Sequence, residues 1–204
     1  MAIRAGGRTG TDVDDPLSGQ PAGHGLTIPD RGRRDGGRSG GPARCSQLTR
    51  RPARAGDEDY LRQVFAQARD DLAILPAELR DQLLDLQYRG QRRQIEAAYP
   101  AATREVLVAD GADAGVLVLD QDAARIHVAD IAVARAQRRR GVASAALRSV
   151  IDEAGQRPVT LMVWAGNAIA LSLYASFGFA EINGADVTEG YIFMERRGGR
   201  WIRS

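Results

Sequence analysis

The sequence contains no lysine: its 28 basic residues are all arginine, set against 26 acidic residues for a net charge of +2. That bias carries little functional weight. Cysteine is nearly as scarce, and Cys45 is the single one in 204 residues. One cysteine excludes an intramolecular disulfide and any zinc site built on paired cysteines. No apolar run approaches the ~18 residues of a membrane span. The opening stretch MAIRAGGRTGTDVDD lacks the apolar core of a secretory signal. The expectation is therefore a cytoplasmic protein with no metal and no membrane partner. What remains is ordinary: 44% apolar and 26% charged residues suit a soluble globular chain, long enough for one domain plus appendages.

Aromatic residues are few, 5% of the chain, and residues 1–55 contain none. That segment has 11 Gly, 5 Pro and 10 Arg against 5 acidic residues, a net charge of +5; the other 149 residues carry 18 Arg against 21 acidic residues, a net charge of −3. Ordering a residue costs ~1–2 kcal/mol of backbone entropy. A stretch with so little apolar surface cannot offset that, so residues 1–46 are read as a disordered Gly/Arg/Pro-rich tail. An arginine-rich tail can attract nucleic acid through phosphates. A solvated tail is the plainer reading, because RGRRDGGR and GGPARC lack interleaved aromatics on which bases would stack. Nucleic acid is not the expected partner.

From Ser46 the texture changes. QLTRRPAR alternates like a short strand. DEDYLRQVFAQARDD has acids at its front, as a helix N-terminus favours, and places Leu61, Val64, Phe65 and Ala68 on one stripe. Pro76 opens a long polar helix with Leu79, Leu83, Leu86 and Ile95 inward, and Gly90 is a candidate break. TREVLVAD, AGVLVLD and ARIHVADIAV read as strands. Helix GVASAALRSVIDEA, strand PVTLMVWA, helix AIALSLYASF and two strands near FAEI and EGYIFMERR complete the chain. The order βαα–βββ–α–β–α–ββ predicts an α/β (α+β) fold: a mixed, largely antiparallel sheet of about seven strands flanked by about four helices. The ordered domain is expected to span 47–197, with 198–204 as a C-terminal tail.

IAVARAQRRRGVASAAL runs from strand through turn to helix. Gly141, Ala143 and Ser144 are small enough to let a ligand approach the backbone. The first-turn amides of Gly141, Val142, Ala143 and Ser144 lack intrahelical acceptors, and the helix dipole favours an anion there. Arg138, Arg139 and Arg140 add positive charge. The combination suits a pyrophosphate, although it is neither a Walker loop nor GxGxxG. Further on, Asn167 stands at a helix start, where Asn caps well. Tyr174 lies two turns later on nearly the same face, a rise of about 10 Å. Gly178 is placed to end that helix in a left-handed conformation, and Phe177 and Phe179 read as core.

The pattern R-x-x-G-x-A at Arg138, Gly141 and Ala143 resembles the Q/R-x-x-G-x-G/A signature of the GNAT superfamily of acetyl-CoA-dependent N-acetyltransferases. DIAV is similar to that family's fourth strand, and VTLMVWAGNAIALSLYASFGF to its fifth strand and next helix, with the Asn…Tyr…Gly-Phe pattern. The resemblance covers about residues 47–197. It implies acetyl-CoA as co-substrate and direct acetyl transfer to an amine of a small molecule or a protein, by a monomer or homodimer. It further implies that backbone at Ile131, Ala132 and Val133 holds pantetheine, that Asn167 contacts it, and that Tyr174 protonates the leaving thiolate.

The base is less plain. Many family members carry a Glu where this chain has Ala129. Asp130 follows, but in a regular strand it faces the other side unless a bulge intervenes, and His127 shares the face of Ala129. Asp130 and His127 are both candidates, each with a hydrogen-bonded structural role as the alternative. The missing carboxylate also admits an acyl-CoA-binding module without catalysis. Asp186 and Glu189, if the fold brings them near Asp81 and Asp85, would attract a cationic amine. Trp164 reads as packing rather than a substrate stack.

Overall fold

The computed structural model describes residues 43–182 and 190–199. Among them are seven strands and four α-helices. In chain order these are β1 (Leu48–Pro52), α1 (Glu58–Ala66), α2 (Ala77–Ala98), β2 (Thr103–Ala109), β3 (Ala112–Gln121), β4 (Ile126–Val133), α3 (Val142–Ala154), β5 (Val159–Trp164), α4 (Ala168–Ser176), β6 (Ala180–Glu181) and β7 (Tyr191–Arg196). The strands form one sheet in the order β1-β2-β3-β4-β5-β7-β6. Every neighbouring pair is antiparallel except β4 and β5, which run parallel around the α3 crossover.

The alternation of side chains along the strands builds two apolar layers. On one face Leu117, Leu119, Ile126, Val128, Ile131, Val133, Leu161 and Val163 pack beneath α3 and α4. The α3 stripe of Val142, Ala146, Leu147, Val150, Ile151 and Ala154 is buried in full, as its helical spacing predicts. Burying each of its larger side chains contributes roughly 1.5–3 kcal/mol. Phe177 and Phe179 join the same core. On the other face Val106, Val116 and Val118 meet Leu61 and Val64 of α1 and Tyr88 and Ile95 of α2.

Three expectations need correction. Gly90 does not break α2, which runs unbroken from Ala77 to Ala98; a glycine costs a helix only ~1 kcal/mol, and the packed Tyr88–Ile95 turns outweigh it. Leu79 and Leu86 are not inward, and Leu86 is 68% exposed. The packed face of α2 instead carries Tyr88, Gln91 and Ile95, because the helix touches the sheet through its second half. Residues 43–46 are held rather than loose: Asp110 Oδ1 accepts from the Ser46 and Gln47 amides at 3.0 Å, and the Cys45 amide donates to Arg140 O at 2.7 Å. The remainder of the expected tail, residues 1–42, lies outside the described residues, as do Asp186 and Glu189.

Candidate active site

The decisive local feature is on β4. Val118 pairs with Asp130, yet Leu119 pairs with Val128, so Ala129 is an extra residue bulged out of the ladder. The insertion shifts side-chain parity by one. Ile126 and Val128 before it, and Ile131 and Val133 after it, all enter the core under α3 and α4. His127, Ala129, Asp130 and Ala132 consequently all face α1 and α2. The regular-strand expectation that Asp130 opposes Ala129 fails for this reason.

Beyond the bulge β4 also leaves β5. The parallel ladder registers only Ile126–Val128 with Val159–Leu161. From 129 to 133 the β5-facing backbone of β4 has no strand partner among the described residues, and its other edge stays paired with β3. The gap opens at the carboxyl ends of two parallel strands, where open α/β sheets place their ligands.

The turn after β4 lies at the mouth of that gap. Gly141 has φ +81°, and a Cβ built there would meet no atom within 4 Å, so the space in front of it is open. Arg139, with φ +62°, adds a second left-handed residue. Ala145 is the first amide of α3 to find a chain acceptor, Gly141 O at 2.9 Å, which leaves the amides of Val142, Ala143 and Ser144 directed outward. The three arginines do not act alike. Arg138 turns inward, donating from Nε to Val133 O at 3.2 Å and from Nη2 to Gln67 O at 2.8 Å. Arg140 ties the turn to the segment before β1, bonding Ala43 O at 2.9 Å and Asp110 Oδ2 at 3.1 Å. Arg139 is exposed and makes no ion pair among the described residues.

Asn167 caps α4, its Oδ1 accepting from the Ala170 amide at 3.1 Å. Tyr174 is 1% exposed and its ring leans on Phe179, with centroids 5.8 Å apart. Gly178, at φ +81°, ends the helix as its sequence position predicts. Trp164 is 54% exposed, and its ring covers the backbone at Gly166 and Gly190.

His127 and Asp130 have opposite environments. His127 is buried, bonded through Nδ1 to Thr160 Oγ1 at 2.9 Å and stacked on Tyr99 at 4.7 Å. Burial, aided by Arg125, lowers its pKa to about 3, so it stays neutral. Asp130 opens onto a crevice between α1, α2 and the sheet, lined also by Phe65, Arg69, Gln91, Arg104 and Val118. Burial raises its pKa to about 7, against the pull of Arg104, the Ile131 amide and Arg69. Gln91 Nε2 donates to it over a long 3.4 Å. Arg69, Gln91 and Arg104 were not legible as site residues: each is one polar side chain in an ordinary helix or strand, and only the β2–β3–β4 register brings them to Asp130. Asp85, beside which Asp186 and Glu189 would attract a cationic amine if the fold brought them together, is already paired with Arg62 and Arg89 at 2.6 Å each.

The model of the Acetyltransferase (GNAT) family matches residues 65–179, more than half of the chain. The chain belongs to the GNAT acetyltransferase family. No curated protein sequence matches it. Solved structures share its fold. The PaiA N-acetyltransferase of Thermoplasma acidophilum, in complex with coenzyme A, superposes with a TM-score of 0.54 at 15% identity, over 74% of this chain and 99% of that one. The ribosomal-protein-S18-alanine N-acetyltransferase of Escherichia coli gives 0.52 at 22% identity over 76% and 96%. A structure described as histone acetyltransferase HPA2 and related acetyltransferase, from Corynebacterium glutamicum, gives 0.51 at 22% over 75% and 97%. Within this GNAT domain no cluster of His, Cys, Asp and Glu able to hold a metal occurs among the described residues, and no described helix is long and apolar enough to cross a membrane.

Proposed function

We propose that this GNAT domain transfers an acetyl group from acetyl-CoA directly to an amine. The observation that carries the reading is the gap between β4 and β5, with the α3 N-terminus at its mouth and Asp130 in a crevice behind the bulge. The residues fit the co-substrate. Outward amides at Val142, Ala143 and Ser144, open space before Gly141 and the exposed Arg139 suit a pyrophosphate. The unpaired β4 backbone at Ile131, Ala132 and Val133 suits the amides of pantetheine, with Asn167 nearby at the α4 start. Acetyl-CoA supplies the thioester when bound.

The acceptor arrives as an ammonium of pKa ~10.4, and making it neutral at pH 7 costs about 4–5 kcal/mol. Asp130 takes that proton. With its pKa raised to about 7, about half of it is ionised at neutral pH, and its proton affinity exceeds that of an ordinary carboxylate. The bulge lets Asp130 stand beside Ala129, where many relatives carry Glu, so the absent Glu does not imply an inactive module. His127, stacked and bonded to Thr160, is a packing residue in this reading. As the new C–N bond forms and the C–S bond breaks, the Tyr174 hydroxyl gives its proton to the departing thiolate.

Two variants test this. Gly141→Glu places a carboxylate where phosphates must approach, and calorimetry should show CoA binding abolished; unchanged affinity would remove the pyrophosphate site. Tyr174→Phe should keep CoA affinity and lower turnover ~10²–10⁴-fold, read as thiol release across an amine panel. Turnover within twofold of wild type makes Tyr174 a core residue only.

A further inference from the structure

The crevice behind the bulge carries an unbalanced charge. Arg92 is satisfied by Glu58 at 2.7 Å and Glu96 at 3.2 Å. Arg69 lies over the Phe65 ring, 5.0 Å from its centroid. The half-buried Arg104 guanidinium makes no hydrogen bond and no ion pair among the described residues. Asp130 is the one acidic side chain lining the crevice among the described residues, and it lies beyond ion-pair distance of Arg104.

The register fixes how these two groups stand. Arg104 on β2 pairs with Val118 on β3, and Val118 pairs with Asp130 on β4. The three form a row across the sheet on the crevice face. Two strand spacings separate the Arg104 and Asp130 backbones by about 10 Å, with the apolar Val118 between them. Leu61, Phe65, Ile95 and Val116 complete apolar walls. A carboxylate at one end, a guanidinium with no ion-pair partner among the described residues at the other, and an apolar floor and walls describe a ligand with an amine, an anion and an apolar body beside them.

We infer that the acceptor is a compact apolar α-amino acid, its amine and carboxylate bridging Asp130 and Arg104 and its side chain lying on Val118 and the apolar walls. This rests on the acetyltransferase reading and narrows its substrate. A guanidinium partly removed from water gains most from a carboxylate, which it can meet with two parallel N–H···O bonds. A neutral carboxamide offers one uncharged acceptor. A polyamine would bring a second cation to Arg104, so the same residue that selects acids rejects polyamines.

The test compares L-leucine, L-leucinamide and spermidine on the full chain, by thiol release from acetyl-CoA and by calorimetry in the presence of CoA. L-leucine should be preferred over L-leucinamide in kcat/KM and in affinity, with spermidine poorest. Arg104→Gln should reduce the leucine-to-leucinamide ratio about 10–100-fold, and Arg104→Lys should restore part of it. The ratio is insensitive to the fraction of folded protein. Equal use of L-leucinamide or spermidine, or an unchanged ratio in Arg104→Gln, overturns the inference. Failure to bind CoA defeats the acetyltransferase reading instead. CoA binding with selective L-leucine binding but no thiol release likewise removes that reading and leaves the crevice as an amino-acid-binding site only, which overturns the acceptor inference.

Discussion

Asp130 and His127 face the same side of β4 and respond to pH in opposite ways. Asp130 binds its proton more tightly folded, at about 7, than unfolded, near 3.8. Its contribution to stability is fully present below the unfolded value and lost as pH rises through 7. His127 binds its proton less tightly folded, at about 3, than unfolded, near 6.5. Its contribution is present above 6.5 and lost as pH falls toward 3. Between pH 4 and 6.5 the two slopes oppose each other. Asp130→Asn removes one, so the melting temperature of that variant should rise with pH across this window more steeply than that of wild type. Parallel melting curves would show that Asp130 titrates as an ordinary carboxylate. The same variant should lose ~10²–10⁴ in kcat/KM together with the rise in rate expected of wild type as pH passes through about 7. Neither environment was legible in the sequence. Asp130 depends on one bulged residue, and His127 on Tyr99 and Thr160, which are distant in the chain.

At the scale of elements, regular periods predicted well and departures from them did not. The α3 stripe, the α4 cap at Asn167 and the glycine stop at Gly178 follow from local spacing and left-handed backbone, which one stretch of chain determines by itself. The inward face of α2 did not follow, because where a helix touches a sheet is set by its neighbours. The β4–α3 turn lies between these cases. Its glycine is legible, whereas the division of labour among three consecutive arginines is not. Arg138 and Arg140 anchor the turn to Gln67, Val133, Asp110 and Ala43, and Arg139 alone projects into solvent. Arg139→Ala should therefore weaken CoA binding a few-fold with little change in melting temperature. Arg140→Ala should lower the melting temperature by releasing Asp110 and the segment before β1. Calorimetry beside thermal melts separates the two. Equal effects of both variants on CoA affinity would mean that all three arginines act only as a charge cluster.

For the molecule as a whole, the fold class and strand count were legible because each strand and helix carries its own pattern and their order leaves few topologies. At the start of the domain, Cys45 is held by the Arg140 carbonyl and Ser46 by the Asp110 side chain, both far along the chain and invisible to local composition. Two truncations measure that boundary. Residues 43–204 should melt like the full chain, because the Gly/Arg/Pro-rich segment before them contains no aromatic residue to add to a core. Residues 47–204 should melt lower, having lost the bonds to Asp110 and Arg140. Identical melting of the two would make those contacts superficial. The gap between β4 and β5 bears on how long the protein survives. A ligand whose amides complete the free edge of β4 binds the folded chain and not the unfolded one. At a hundred times its dissociation constant it adds about 2.7 kcal/mol against unfolding. Resistance to proteolysis would then follow the supply of that ligand, and the protein would be cleared fastest where acetyl-CoA is scarce.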